Sequence, residues 1–154
     1  MRRIEKTVAA GAVVCVLIQL VPMSGKNPPT TQDVAAPPQV ESILRRSCYD
    51  CHSNETRWPW YAHVAPLSWL VIRDVGRGRQ HLNFSSWDQY AGDPETAIRK
   101  LHNIDKVMHN GSMPLWYYLP EHSLARLSDA DRQVLEDWVV VSIETEEKRE
   151  GTPP

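Results

Sequence analysis

The sequence predicts an all-α fold, because apolar residues recur at helical spacing and no stretch alternates between apolar and polar residues. Capping residues, prolines and glycines divide the chain into several short helices. At 154 residues, the chain has the length of one small domain with short appendages. Its net charge of −2 is weak and argues against a nucleic-acid partner.

The N-terminus has the pattern of a targeting segment. Arg2, Arg3 and Lys6 precede an apolar stretch that runs without charge from residue 7 to residue 23. Basic residues stay on the cytoplasmic side, so the rest of the chain is expected outside the cytoplasm. No Ala-x-Ala-like cleavage site follows, which favours an uncleaved signal anchor or transmembrane segment over residues 1–24. The stretch is short for a spanning helix, so a cleaved signal and an exported product remain the alternative.

Composition and local signals predict the organisation of the remaining chain. Residues 25–38 are rich in proline and are predicted to be a linker to a domain over residues 39–147. Capping residues and prolines mark where helices of this domain begin, and glycines mark where they end. The predicted helices run from Val40 to Cys48, from Pro66 to Gly76 or Gly78, from Asp93 to Asn110 with Gly111 closing it, and from Ser128 to Ser142. The charged chain from Glu144 is expected to fray, with residues 148–154 as a disordered tail.

The pentapeptide Cys48-Tyr49-Asp50-Cys51-His52 carries the clearest chemistry in the chain. Cys-x-x-Cys-His is the attachment signature of a c-type haem, because two thiols about one turn apart can each add to a vinyl group of the porphyrin. Cys48 and Cys51 are therefore predicted to hold one covalent haem c, with His52 as the proximal iron ligand. The alternatives are a redox pair, half of a zinc site, a structural disulfide and chance. No βαβ pattern supports the redox pair, and no second closely spaced Cys/His pair supports zinc.

Longer strings on both sides of this motif resemble the haem-binding domain family of exported bacterial proteins, whose layout is related to class I cytochromes c. The resemblance runs from Gln39 to Trp138 and includes Trp58-Pro59-Trp60-Tyr61, Gly78-Arg79, Leu82-Asn83-Phe84-Ser85 and Gly111-Ser112-Met113-Pro114. It implies a small cytochrome c-like helical domain around one covalent haem, commonly behind an N-terminal membrane segment. Together with the N-terminal signal, this places the domain at a bacterial inner membrane, facing the periplasm.

Met113 is predicted to be the sixth ligand of the iron. It follows a helix-ending glycine and precedes Pro114, which resembles the distal Met-Pro arrangement of class I cytochromes. Met108 instead follows Leu101 and Ile104 on one helix and fits core packing. One of the other histidines, or an iron that is open or water-bound, remains an alternative sixth ligation.

Arg79 is predicted to bind a haem propionate, since a guanidinium matches a carboxylate with two donors. It lies in the Gly-Arg string of the resemblance, whereas the arginines at 73 and 77 fit a solvated helix face equally well. Trp60 and Trp69 are candidates for the wall of the haem pocket. Ordinary packing is the alternative for both tryptophans.

These ligands lead to two hypotheses of function. The first is a membrane-tethered electron carrier, because His/Met ligation saturates the iron and raises its reduction potential. Its partners would be redox proteins outside the cytoplasm. The second is a haem-based sensor or small-molecule binding domain with a displaceable sixth ligand. No added catalytic residues are recognised, so we predict an electron carrier or a haem-binding module rather than an enzyme.

Overall fold

A computed structural model describes residues 2–21 and 23–151. The α-helices in this range are α1 (Arg2–Ile18), α2 (Pro38–Ser47), α3 (Tyr49–His52), α4 (Leu67–His81), α5 (Asp88–Ala91), α6 (Pro94–His109) and α7 (Asp129–Glu150). Short 3₁₀ turns lie at Trp60–His63 and Ser123–Ala125. The described residues form no β-strand, only one isolated bridge. The prediction of an all-α fold is confirmed.

The core lies where α2, α6 and α7 pack together, because packing removes the apolar faces of these helices from water. Leu44, Ala97, Leu101 and Leu135 have at most 1% of their surface exposed. A row of stacked aromatic rings extends this core towards α3. Its rings are Tyr49, Phe84 and Trp87, with centroids 5.4 and 6.4 Å apart. The short helix α3 is thereby fixed to the core through its first residue.

Several helix ends agree with the signals in the sequence. Ser128 and Asp131 form a reciprocal capping box at the start of α7. Gly111 has φ +68°, as a glycine that closes a helix requires, and it follows the last residues of α6. Arg46 of α2 pairs with Asp131 at 2.5 Å and holds the pKa of that carboxyl down at about 2. The stabilisation from this shift is present at neutral pH and is lost as the pH falls towards 2.

The glycines in α4 do not end the helix, contrary to the prediction. The helix passes through Gly76 and Gly78 and ends at His81. A Cβ on Gly78 would overlap the carbonyl oxygen of Cys51, whereas nothing lies within 4 Å of the corresponding position on Gly76. Gly78 therefore serves the close packing of α4 on α3, which local sequence rules cannot reveal.

The C-terminal helix is longer than predicted. It continues past Glu144, where the chain was expected to fray, and reaches Glu150. Arg149 holds this last turn, because it pairs with Glu146 and donates to the carbonyl oxygen of Ala91, both at 2.6 Å. Residues 152–154 of the predicted tail lie outside the described residues.

The proline-rich segment predicted to be a linker packs on the domain. Main-chain amides of Thr31 and Val34 donate to Ser85 and Phe84, both at 3.0 Å, and Trp87 donates back to Gln32 at 2.8 Å. The prolines still exclude a regular helix, but the segment forms a fixed edge of the fold.

Helix α1 has no buried residue, although most of its side chains are apolar. Beyond its end, the Gln19 amide donates to the carbonyl oxygen of Ala65 and accepts from the Ala65 amide, both at 3.0 Å. Among the described residues, no helix meets the length and hydropathy expected of a segment that spans a membrane.

Candidate functional site

A cavity of about 640 Å³ opens beside α3 and brings together the residues of the attachment motif and Met113, the predicted sixth ligand. Its volume is within the range of cavities that hold small molecules and cofactors. The residues that line it include Cys48, Cys51, His52, Arg77, Gly78, Leu82, Ile104, Val107, Met108, Met113, Leu115, Tyr117, Tyr118, Leu127 and Leu135.

Cys48 and Cys51 are half-buried thiols, not bonded to each other, and both line this cavity. Burial raises the pKa of Cys48 to about 12 and that of Cys51 to about 11. Catalytic redox cysteines have lowered pKa values, so this environment disfavours the thioredoxin-like alternative. No cluster of three or more potential metal-ligating His, Cys, Asp or Glu side chains occurs in the described ranges, so the zinc alternative finds no support either.

His52 is held in one orientation from behind. Its Nδ1 lies 3.0 Å from the carbonyl oxygen of Gly78 and 3.1 Å from that of Leu82. Since a carbonyl can only accept, Nδ1 carries the proton and Nε2 keeps its lone pair for a metal. Burial lowers the pKa of His52, which also favours the neutral imidazole. The close contact of Gly78 with α3 thus sets the position of the carbonyl that orients this ring.

Met113 lies in the loop of residues 111–122 that follows α6, which we call the distal loop. The structure brings its half-buried side chain to the same cavity as His52. Met108 is 3% exposed and belongs to the core as expected, but it also reaches the cavity lining. Both sulfur-containing side chains are therefore available to a ligand bound there.

Cationic side chains lie along the edge of the cavity, at Arg73, Arg77, Lys100 and Lys106. Arg73 pairs with Asp74 at 3.0 Å, and Lys100 donates to the carbonyl oxygen of His81. The side chains of Arg77 and Lys106 form no hydrogen bond or ion pair with the described parts of the chain. These two cations are free to bind an anionic group at the rim.

The structure does not bring Arg79 to the cavity. Its guanidinium donates to the carbonyl oxygens of Ser53 and Lys26, both at 2.7 Å, and to Thr56 Oγ1 at 2.8 Å. Arg79 therefore fixes the chain that follows the attachment motif. Arg77, and not Arg79, lines the cavity. The spacing of arginines along a helix could not distinguish the two residues, because their directions depend on how α4 packs.

The two predicted pocket tryptophans also lie away from the cavity lining. Trp60 is 75% exposed, in the 3₁₀ turn before α4. Trp69 is half-buried on α4, and its indole N–H is buried without a partner in the described chain. The aromatic side chains that do line the cavity are Phe84, Tyr117 and Tyr118.

Sequence reasoning assigned no role to two tyrosine–aspartate pairs at the cavity. Tyr118 donates to Asp50 Oδ2 at 2.8 Å, and Tyr117 donates to Asp74 Oδ2 at 2.9 Å. Burial raises the pKa of both tyrosines, so both phenols remain donors. The signal available in the sequence was the position of Asp50 between the two cysteines and of the tyrosine pair just after Met113-Pro114.

The donors of this cavity fit a haem better than a bare metal ion or a small polar ligand. The walls are largely apolar, as a porphyrin requires, and an oriented imidazole, two thiols and thioether sulfurs face the same space. Two unpaired cations at the rim suit a pair of carboxylates. The residues present therefore match each chemical part of a covalently bound haem.

Comparison with known families agrees with this fit. The sequence model described as "Haem-binding domain" matches residues 13–140, which is most of the chain and includes the packed proline-rich segment. No curated protein and no solved structure is similar enough to the chain to count as a match.

Proposed function

The chain belongs to the haem-binding domain family, and we propose that it is a membrane-tethered mono-haem c-type cytochrome domain that transfers single electrons. The observation that carries this proposal is the convergence of Cys48, Cys51, His52 and Met113 on one cavity. A haem there would supply the change between ferric and ferrous iron. The protein would hold this cofactor, set its potential and admit a partner to its edge.

Cys48 and Cys51 would each form a thioether to the porphyrin, and His52 would bind the iron through Nε2. The raised thiol pKa values describe the protein before attachment, when both thiols are protonated. Arg77 and Lys106 are the residues best placed to bind the propionates, since both line the cavity without another partner.

Met113 would be the sixth ligand. Ligation by both an imidazole and a thioether would favour ferrous iron and would leave no site for substrate, which suits electron transfer rather than catalysis. Donor and acceptor proteins would approach the cavity mouth, outside the cytoplasm. Trp116 is 80% exposed and lies between Leu115 and Tyr117, which both line the cavity.

The ligation can be tested on the matured protein by optical spectroscopy. We expect low-spin ferric protein with the weak far-red sulfur-to-iron band, and ferrous protein that binds carbon monoxide poorly. Met113→Ala should abolish the band, admit carbon monoxide and lower the reduction potential. Met108→Leu should keep the band, because this core change roughly conserves volume. A high-spin wild type would contradict Met113 ligation and favour a sensor or binding domain. A band lost only in Met108→Leu would assign the sixth ligand to Met108 instead.

The proposed tether is α1. It has 17 residues, at the lower end of membrane-spanning lengths, and basic residues at its start. Its exposed apolar side chains include Val8, Val13 and Val16, each more than half exposed, and these are costly to leave in water. The hydrogen bonds between Gln19 and Ala65 would hold the domain close to the membrane surface.

Fractionation of the producing cells tests the tether. The haem protein should sediment with membranes and resist extraction by salt. Its N-terminal sequence should be that of α1. A soluble product whose N-terminus lies near the proline-rich segment would show instead that α1 is a cleaved signal.

A further inference from the structure

The distal loop depends on side chains for its position. Its main-chain hydrogen bonds are local, such as Tyr118 to Leu115 at 3.0 Å and Met113 to Val107 at 3.4 Å. Within the described residues, no main-chain hydrogen bond joins the loop to α3 or α4. A loop held in this way keeps its place only if other groups fix it.

Two phenols supply the missing connections. Tyr118 reaches Asp50, which lies between the two attachment cysteines on α3, and Tyr117 reaches Asp74 on α4. Asp74 stands one helical turn before Gly78, whose carbonyl oxygen orients His52. Both connections therefore run from the loop that carries the predicted distal ligand to the elements that hold the proximal one.

The carboxylates of Asp50 and Asp74 have similar surroundings. Asp50 and Asp74 expose only 16% and 14% of their side chains. In each, one oxygen accepts from a tyrosine and the other faces an arginine, with Arg57 at 3.7 Å from Asp50 and Arg73 at 3.0 Å from Asp74. Hydrogen bonds to shielded, ionised carboxylates are stronger than those between neutral groups.

A third contact restrains the far end of the loop. The ring of His122 stacks on Tyr118 with centroids 4.0 Å apart and planes within 7°. Its Nε2 lies 2.7 Å from the Tyr61 hydroxyl in the turn before α4. The Tyr118 ring is thus held by stacking as well as by its hydroxyl.

We propose that Tyr117 and Tyr118 are positioning residues that hold the Met113 loop against α3 and α4 through Asp74 and Asp50. They set how readily the sixth ligand leaves the iron, without touching the iron themselves. This inference rests on the proposed His/Met ligation. It adds that ligation strength is controlled by two phenol–carboxylate hydrogen bonds remote from the sulfur.

The test uses the matured haem protein with Tyr117→Phe, Tyr118→Phe and the double variant, which keep the rings and remove only the hydroxyls. We expect the rate of carbon monoxide binding to ferrous protein to rise by about tenfold or more in the double variant, the fold-change that corresponds to about 1.4 kcal/mol. Hydrogen exchange of the amides at residues 111–122 should accelerate to a similar degree.

Tyr49→Phe is the matched control. It removes a phenol–carboxylate bond of the same kind, from Tyr49 to Asp33 at 2.8 Å, but that bond joins α3 to the proline-rich segment and not to the distal loop. This control should change neither readout. Equal effects in the control, or a double variant that loses stability while carbon monoxide binding and loop exchange stay unchanged, would overturn the inference.

Failure of the proposed function gives a different result. If wild-type protein lacks the sulfur-to-iron band, His/Met ligation is wrong, and the claim about the sixth ligand fails with it. If the band is present and the tyrosine variants match wild type, the ligation stands and only the positioning role is wrong.

Discussion

Gly78→Ala is expected to disrupt the site, although it adds only one methyl group. The new Cβ would overlap the carbonyl oxygen of Cys51 and lie 3.3 Å from the Cys51 Cβ. Because the obstacle is backbone, α4 must move away from α3, and the Gly78 carbonyl that orients His52 moves with it. We expect a loss of about 2–3 kcal/mol in the free energy of unfolding and poor haem incorporation.

Gly76→Ala is the control for this substitution on the same helix, since nothing lies within 4 Å of its new methyl group. It should be neutral or stabilise the protein by up to about 1 kcal/mol, because alanine favours a helix. Thermal unfolding and haem content of the two variants give the comparison. Equal behaviour of the two alanine variants would show that the α3–α4 contact does not govern the site.

Replacement of either attachment cysteine is expected to have the largest effect on haem content. Cys48→Ala and Cys51→Ala each remove one of two thioethers, so most of the covalent haem should be lost in a host competent for c-type maturation. Cys15→Ala is the control, because this thiol is exposed on α1, apart from the cavity. Haem staining of denatured protein after electrophoresis distinguishes the three variants. Staining that persists in the double variant Cys48→Ala/Cys51→Ala would exclude thioether attachment at these positions.

Features encoded by neighbouring residues could be predicted from the sequence. The capping box of Ser128 and Asp131 and the turn at Gly111 depend on groups within four residues of each other. The Cys48–His52 motif is equally local, since its function requires only two thiols and an imidazole in succession. Apolar spacing was sufficient to predict that α2, α6 and α7 are helices.

Features that depend on tertiary contacts could not be predicted in the same way. Gly78 has the local appearance of a helix stop, but its role is set by Cys51, 27 positions earlier in the numbering. Arg79 and Arg77 differ in direction only because α4 packs on α3. The bond between Tyr118 and Asp50 joins residues 68 positions apart, and neither residue type is specific for such a contact.

The most direct test of the central claim is the intact mass of the purified, matured chain after denaturation. Covalent attachment through Cys48 and Cys51 predicts a mass equal to the polypeptide plus one haem, unchanged by extraction with acidified acetone. A chain at the mass of the bare polypeptide, with the haem recovered in the extract, would contradict the account.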